Sequence, residues 1–157
     1  MGMTSYAKLI FGCDLGDEDA GLELPWDTEE FDHDLEGWWR TVKGYKPPFE
    51  LYNSEGARLP IWTAEKRDEL YHHRKEFDEE NPCPVEINYI GHPDFSGQVL
   101  STKSHQIFRS EWSEALEIKS EDLFQTSKME ATLQAFCAEY GIKPLKGPCW
   151  ILGAYYG

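Results

Sequence analysis

The chain has 157 residues, with 29 Asp and Glu against 15 Lys and Arg, a net charge of -14. That charge excludes generic nucleic-acid binding and adsorption to anionic membrane, which both need Lys and Arg against phosphate. An aromatic content of 14% excludes an acidic disordered tail, and the length suits one domain with a real core.

Tyr6 to Phe11 is apolar, stops at Gly12 and reads as a first strand. Cys13 to Pro25 is rich in Gly, Asp and Glu and reads as a loop. Asp27 then has the character of an N-cap, with Glu30 at the capping-box position. Phe31, Leu35, Trp38, Trp39 and Val42 follow at helical spacing, and Gly44 fits the stop. The expectation is one helix from Asp27 to about Val42, with Gly37 a weak point inside it. Phe49 to Tyr52 and Leu59 to Trp62 have strand character around the turn Asn53–Gly56.

Thr63 is placed to cap a second helix that runs to about Glu80 and is stopped by Asn81-Pro82. Few of its positions are apolar, and its mixed charges predict an exposed helix with salt-bridged faces. Pro84 to Ile90 alternates Val85, Ile87 and Tyr89 with polar residues, the pattern of a half-buried strand. Gly91–Asp94 reads as a turn, and Gln98–Ser101, Gln106–Arg109 and Ala115–Ile118 as short strands. Ser127 and Glu130 have capping-box spacing ahead of a helix carrying Met129, Leu133, Phe136, Cys137 and Tyr140 and stopped by Gly141. The apolar run from Cys149 to Tyr156 is a last strand that would sit beside the first. These elements predict a single α+β domain spanning 1–157, with an antiparallel-rich sheet and about three helices mainly on one face.

The runs Asn81-Pro-Cys-Pro-Val-Glu86 and Phe136-Cys-Ala-Glu-Tyr-Gly-Ile142, with the ending Trp150-Ile-Leu-Gly-Ala-Tyr-Tyr-Gly157, resemble small proteins of tailed bacteriophages. Such proteins open with a strand like Lys8-Leu-Ile-Phe-Gly12. The resemblance implies an origin, a phage accessory protein acting in the bacterial cytoplasm. It brings no activity and no catalytic residue.

No stretch approaches the roughly 18 apolar residues of a membrane span, and the first residues lack the features of a secretory signal. Four cysteines without paired spacing are then expected to be reduced thiols.

Charge is distributed unevenly. Between Leu9 and Trp39 there is no Lys or Arg, yet there are 11 acids, namely Asp14, Asp17, Glu18, Asp19, Glu23, Asp27, Glu29, Glu30, Asp32, Asp34 and Glu36. A solvated face is one account of such a run. The functional account is a docking surface for a basic groove, which steers association through its field. Trp38 or Trp39 would be the apolar anchor. On this reading the chain is a binding protein and no enzyme, needing no cofactor. It would occlude a basic host or antiviral-defence protein without touching nucleic acid or membrane. The sequence leaves its oligomeric state open.

The alternative is a site for a small anionic ligand such as a nucleotide, formed by His92, Lys103, His105 and Arg109. Weaker signals are a metal site on the early carboxylates or on His72 and Glu76, and a Cys83–His92 nucleophile and base. The carboxylates fail the EF-hand pattern, His72 lacks the zinc-peptidase spacing, and Cys83 has no accompanying oxyanion loop.

Overall fold

The computed structural model describes residues 5–17, 20–51, 63–92, 95–102, 108–111 and 117–156. The elements, in chain order, are β1 (Ser5–Gly16), α1 (Leu35–Val42), α2 (Ala64–Glu80), β2 (Val85–His92), β3 (Phe95–Thr102), β4 (Phe108–Glu111), α3 (Ser120–Phe124), α4 (Ser127–Tyr140) and β5 (Lys146–Tyr156). The fold is α+β with an antiparallel five-stranded sheet.

β1 is the spine. β5 pairs with it from Ser5↔Tyr156 to Asp14↔Lys146, as the two apolar runs predict. β3 pairs with residues 12–16 of β1 and β4 with residues 6–9. Both stretches of β1 are also paired with β5, so β3 and β4 must share the opposite edge. They act as one interrupted strand. Ser101 lies opposite Gly12 and Phe108 opposite Leu9. β2 completes the sheet beside β3.

Alternation along β1 gives the sheet two buried faces. Phe11, Cys13 and Leu15 point to the helices and join Val85, Leu100, Leu133, Phe136 and Cys137 in the main core. Ile10 points the other way and is fully buried, as is Val99. Register shifts at Asp14 on both edges of β1 increase the local coiling of the sheet. Coiling brings β2 back against β5, where Ile90 lies so close to Gly153 that a Cβ there would fall 2.6 Å from its own Cβ. The second face holds a polar group as well, in which the Asn88 amide donates to Ser101 Oγ at 2.8 Å and to Glu86 Oε1 at 3.2 Å.

α4 lies over β1, β3 and β5 and supplies the aromatic floor of the core. Trp26, Trp38, Trp39, Phe136 and Tyr140 form one cluster, with Trp38 and Tyr140 centroids 4.9 Å apart and edge-on. Gly141 ends the helix in the left-handed conformation at φ 70°, where glycine carries no Cβ penalty.

Several sequence expectations are corrected. α1 starts at Leu35, not Asp27. The Asp27 carboxylate pairs with His33 Nδ1 instead of capping a helix. Asp32 and His33 then take left-handed backbone at φ 49° and 63°, which no continuous helix allows. α4 has no capping box, because α3 runs into it through a two-residue turn and its N-cap is Thr126, without a side-chain bond. β1 continues four residues into the predicted loop, to Gly16. Residues 49–51 and 117–118 form no strand, and the remainder of those expected strands lies outside the described residues.

Candidate functional site

The acidic segment is held from beneath. Leu22, Leu24, Trp26, Phe31 and Leu35 recur every two to five residues and pack into or against the main core. The acids between and beside them are thereby turned outward. Asp17, Glu23, Asp27, Glu29, Glu30, Asp32, Asp34 and Glu36 are exposed, and Asp14 is half-buried at the end of β1. Asp14 accepts the backbone N–H of Gly16 at 2.9 Å. Glu18 and Asp19 lie outside the described residues.

Trp38 and Trp39 do not belong to this surface, and their role as an exposed anchor is corrected. Each is only 7% exposed. Trp38 stacks among Trp26, Phe136 and Tyr140. Trp39 donates its indole N–H to the carbonyl of Asn81 at 2.9 Å, and Lys43 Nζ caps its ring at 4.4 Å. A partner could reach either ring only by opening the core. The segment is therefore a charged surface with its apolar residues turned inward.

α2 forms where Thr63 predicts it, the Thr63 hydroxyl accepting the N–H of Lys66 at 3.3 Å. It is an exposed helix as expected, with Lys75 and Glu79 paired at i,i+4, and its acids also gather on one side. At 100° per residue, Glu65, Asp68, Glu69, His72, Glu76, Glu79 and Glu80 fall within an arc of roughly 120°. All seven are exposed, and no Lys or Arg lies within that arc. Sequence reasoning missed this second acidic face because it counted charges along the chain. A helical projection finds it.

The two acidic elements meet at Arg40. Its Nε and Nη2 donate to the two carboxylate oxygens of Asp78 on α2 at 2.9 and 2.8 Å, and Nη2 also reaches Glu36 at 3.4 Å. Asp78, Glu36 and Asp34 around it hold the guanidinium more firmly protonated than usual, Asp78 contributing most. Tyr45, stacked edge-on to Phe77 and bonded through its hydroxyl to His73 at 3.2 Å, packs α2 onto the end of α1. Arg40 thus ties Glu36 of the segment to Asp78 of α2, which lies outside the acidic arc.

Of the alternative ligand residues, the described backbone places His92 on β2 and Arg109 on β4. His92 pairs with Phe95 at the turn end of the β2–β3 hairpin, and Thr102, the neighbour of Lys103, pairs with Val85 at its other end. Seven residues of extended strand separate those ends, roughly 23 Å at 3.3 Å per residue. Arg109 is opposite Lys8 on β4, while Lys103 and His105 lie outside the described residues. The same span separates Cys83, buried at the entrance of β2, from His92 at its exit. A nucleophile and base cannot meet across it.

Among the described residues, no group of three His, Cys, Asp or Glu side chains could hold a metal ion. No described helix is long and apolar enough to cross a membrane. No family model, curated protein or solved structure matches the chain.

Proposed function

We propose that this protein acts by binding, presenting the outward carboxylates of residues 14–36 and the acidic face of α2 to a basic groove. The observation that carries this reading is the alternation in the segment, with apolar residues set in the core and acids held outside. A run of acids serving only solubility gains nothing from fixed positions. A run that docks gains affinity, because little ordering entropy remains to be lost on binding. Basic grooves of this kind belong chiefly to proteins that bind nucleic acid, so docking would occlude the groove and inhibit by competition. Taken with the resemblance to phage proteins, the partner is a basic host or antiviral-defence protein in the bacterial cytoplasm. Neither catalysis nor a cofactor is part of this reading.

The test is capture from bacterial lysate at about 0.1 M and about 1 M salt, where the screening length falls from roughly 10 to roughly 3 Å. A basic partner should be retained at low salt and released at high salt. It should also be lost with a variant in which Asp17, Glu23, Glu29 and Glu30 are all changed to Lys. A folded variant that keeps every partner would overturn the proposal.

A further inference from the structure

The sheet closes on itself without a ladder at the closing point. Among the described residues, β2 pairs only with β3 and β5 only with β1, and no backbone hydrogen bond joins β2 to β5. The two strands nevertheless lie against each other, and Ile90 is the contact between them. Ile90 stands opposite Gly97 on β3, where an added Cβ would fall 3.3 Å from its Cγ1. On β5, a Cβ added to Gly153 would fall 2.6 Å from the Ile90 Cβ and 2.7 Å from its Cγ2. Ile90 supplies the three nearest atoms at both glycines. Two glycines thus form a socket for one isoleucine side chain, and Gly153 has no room for a Cβ while that side chain is seated.

The part of the hairpin that carries Ile90 has no other hold on the sheet. β3 pairs with β1 only through residues 98–101, whereas residues 90–92 and 95–97 pair with one another beyond that ladder. Ile90 itself is only half-buried, and one such side chain gives a weak closure compared with a hydrogen-bonded strand pair. Closure also leaves a polar atom unanswered. The buried Asn88 amide gives its N–H groups to Ser101 and Glu86, while its oxygen accepts no hydrogen bond from any described residue. A buried acceptor without a donor works against the closed arrangement.

We propose that the turn end of the β2–β3 hairpin is a strap that unlatches from β5 at Ile90 and reseats on the microsecond-to-millisecond scale, while the main core stays closed. Unlatching empties the socket at Gly153 and opens the seam between β2 and β5. It uncovers Ile151 and, opposite it on the same face, Ile10, and it lets water donate to the Asn88 oxygen. The second face of the sheet is then a cleft with a latch. The acidic surface has no part in this motion.

Isoleucine δ1-methyl relaxation dispersion on the full chain tests the strap. Ile90, Ile151 and Ile10 should show exchange, whereas Ile87 and Ile142, which pack with the main core, should give flat profiles. Gly153→Ala fills the socket, so the Ile10 and Ile151 methyl signals should move toward the positions that dispersion assigns to the unlatched state. The double variant Ile90→Cys with Gly153→Cys should quench the exchange when oxidised and restore it when reduced. Flat profiles at Ile90, Ile151 and Ile10 in the unaltered protein would overturn the proposal. So would equal exchange at Ile87 and Ile142, which means opening of the whole fold, or exchange that survives the oxidised cross-link. Because the cysteine pair can fail to form, the unaltered protein and Gly153→Ala decide the matter without it.

Discussion

Gly12 sits where β1 meets both neighbours, opposite Ser101 on β3 and Cys149 on β5. A Cβ added there would lie 2.5 Å from the carbonyl oxygen of Leu100 and 2.6 Å from Cγ1 of Val99. Ordinary contact needs about 3.4 Å, so Gly12→Ala demands close to an ångström of movement from two neighbours. Neither yields easily. The carbonyl is backbone within the β1–β3 ladder, and Val99 is fully buried with a β-branched side chain of restricted rotamer. Overpacking of a tight core costs about 1–3 kcal/mol, and backbone displacement puts this case at the upper end, about 3 kcal/mol. For a chain of this length, that lowers the melting temperature by roughly 6–12 °C. Gly147→Ala is the matched control. It is also in a strand, with nothing within 4 Å of the added Cβ and no left-handed backbone. Restricting the unfolded chain should leave it neutral or more stable by up to about 1 kcal/mol. Urea unfolding followed by the fluorescence of the buried tryptophans measures both. If the two variants unfold at the same urea concentration, the tight approach of β3 to β1 is wrong, and with it the coiling that closes the second face.

Trp38→Ala removes the ring shared by Trp26, Phe136 and Tyr140 and should cost about 3–5 kcal/mol; an exposed anchor would cost almost nothing, so equilibrium unfolding separates the two roles. Arg40→Met should destabilise by about 1–2 kcal/mol, beyond the usual surface pair because the contact to Asp78 is two-pronged and Arg40 is largely covered. Part of that loss should return in about 1 M salt, which screens the repulsion left among Asp34, Glu36 and Asp78; a salt-independent loss would assign Arg40 to packing. Reversing the charge of Glu29 and Glu30 should change stability by less than about 0.5 kcal/mol, since both are exposed and outside any helix; a larger thermal shift would mean that these carboxylates hold the segment in place.

The elements legible from sequence are those with a local cause. α2 has a capping threonine and a proline stop, α4 has an apolar stripe and a left-handed glycine, and the β1–β5 pair has two long, largely apolar runs. What escaped depends on contacts distant in sequence. Nothing in the residue types says that His33 will take the Asp27 carboxylate, so the expected helix was capped seven residues early. Nothing in the spacing of Trp38 and Trp39 says that α4 offers a place for both rings. Ile10, Val99 and the Asn88–Ser101 pair form a second buried face that appears only once β3 and β4 are known to share one edge of β1. The candidate surface was half legible. The acids of residues 14–36 stand out in any charge count, whereas the α2 face needs the helical projection and its junction through Arg40 needs the fold.

The failed helix over residues 27–34 bears directly on function. Had the segment been helical from Asp27, its acids would have wound around the axis, with part of the charge turned toward the sheet and in need of partners there. Broken at Asp32 and His33, the chain runs as turns across the core. Turns let apolar residues at irregular spacing reach inward while nearly every carboxylate stays outside. The left-handed backbone at two non-glycine residues has a cost, of order 1 kcal/mol each. Folding sustains it only because Trp26, Phe31 and Leu35 are secured on either side. On the proposed reading, that outward set of carboxylates is the surface a basic partner would meet.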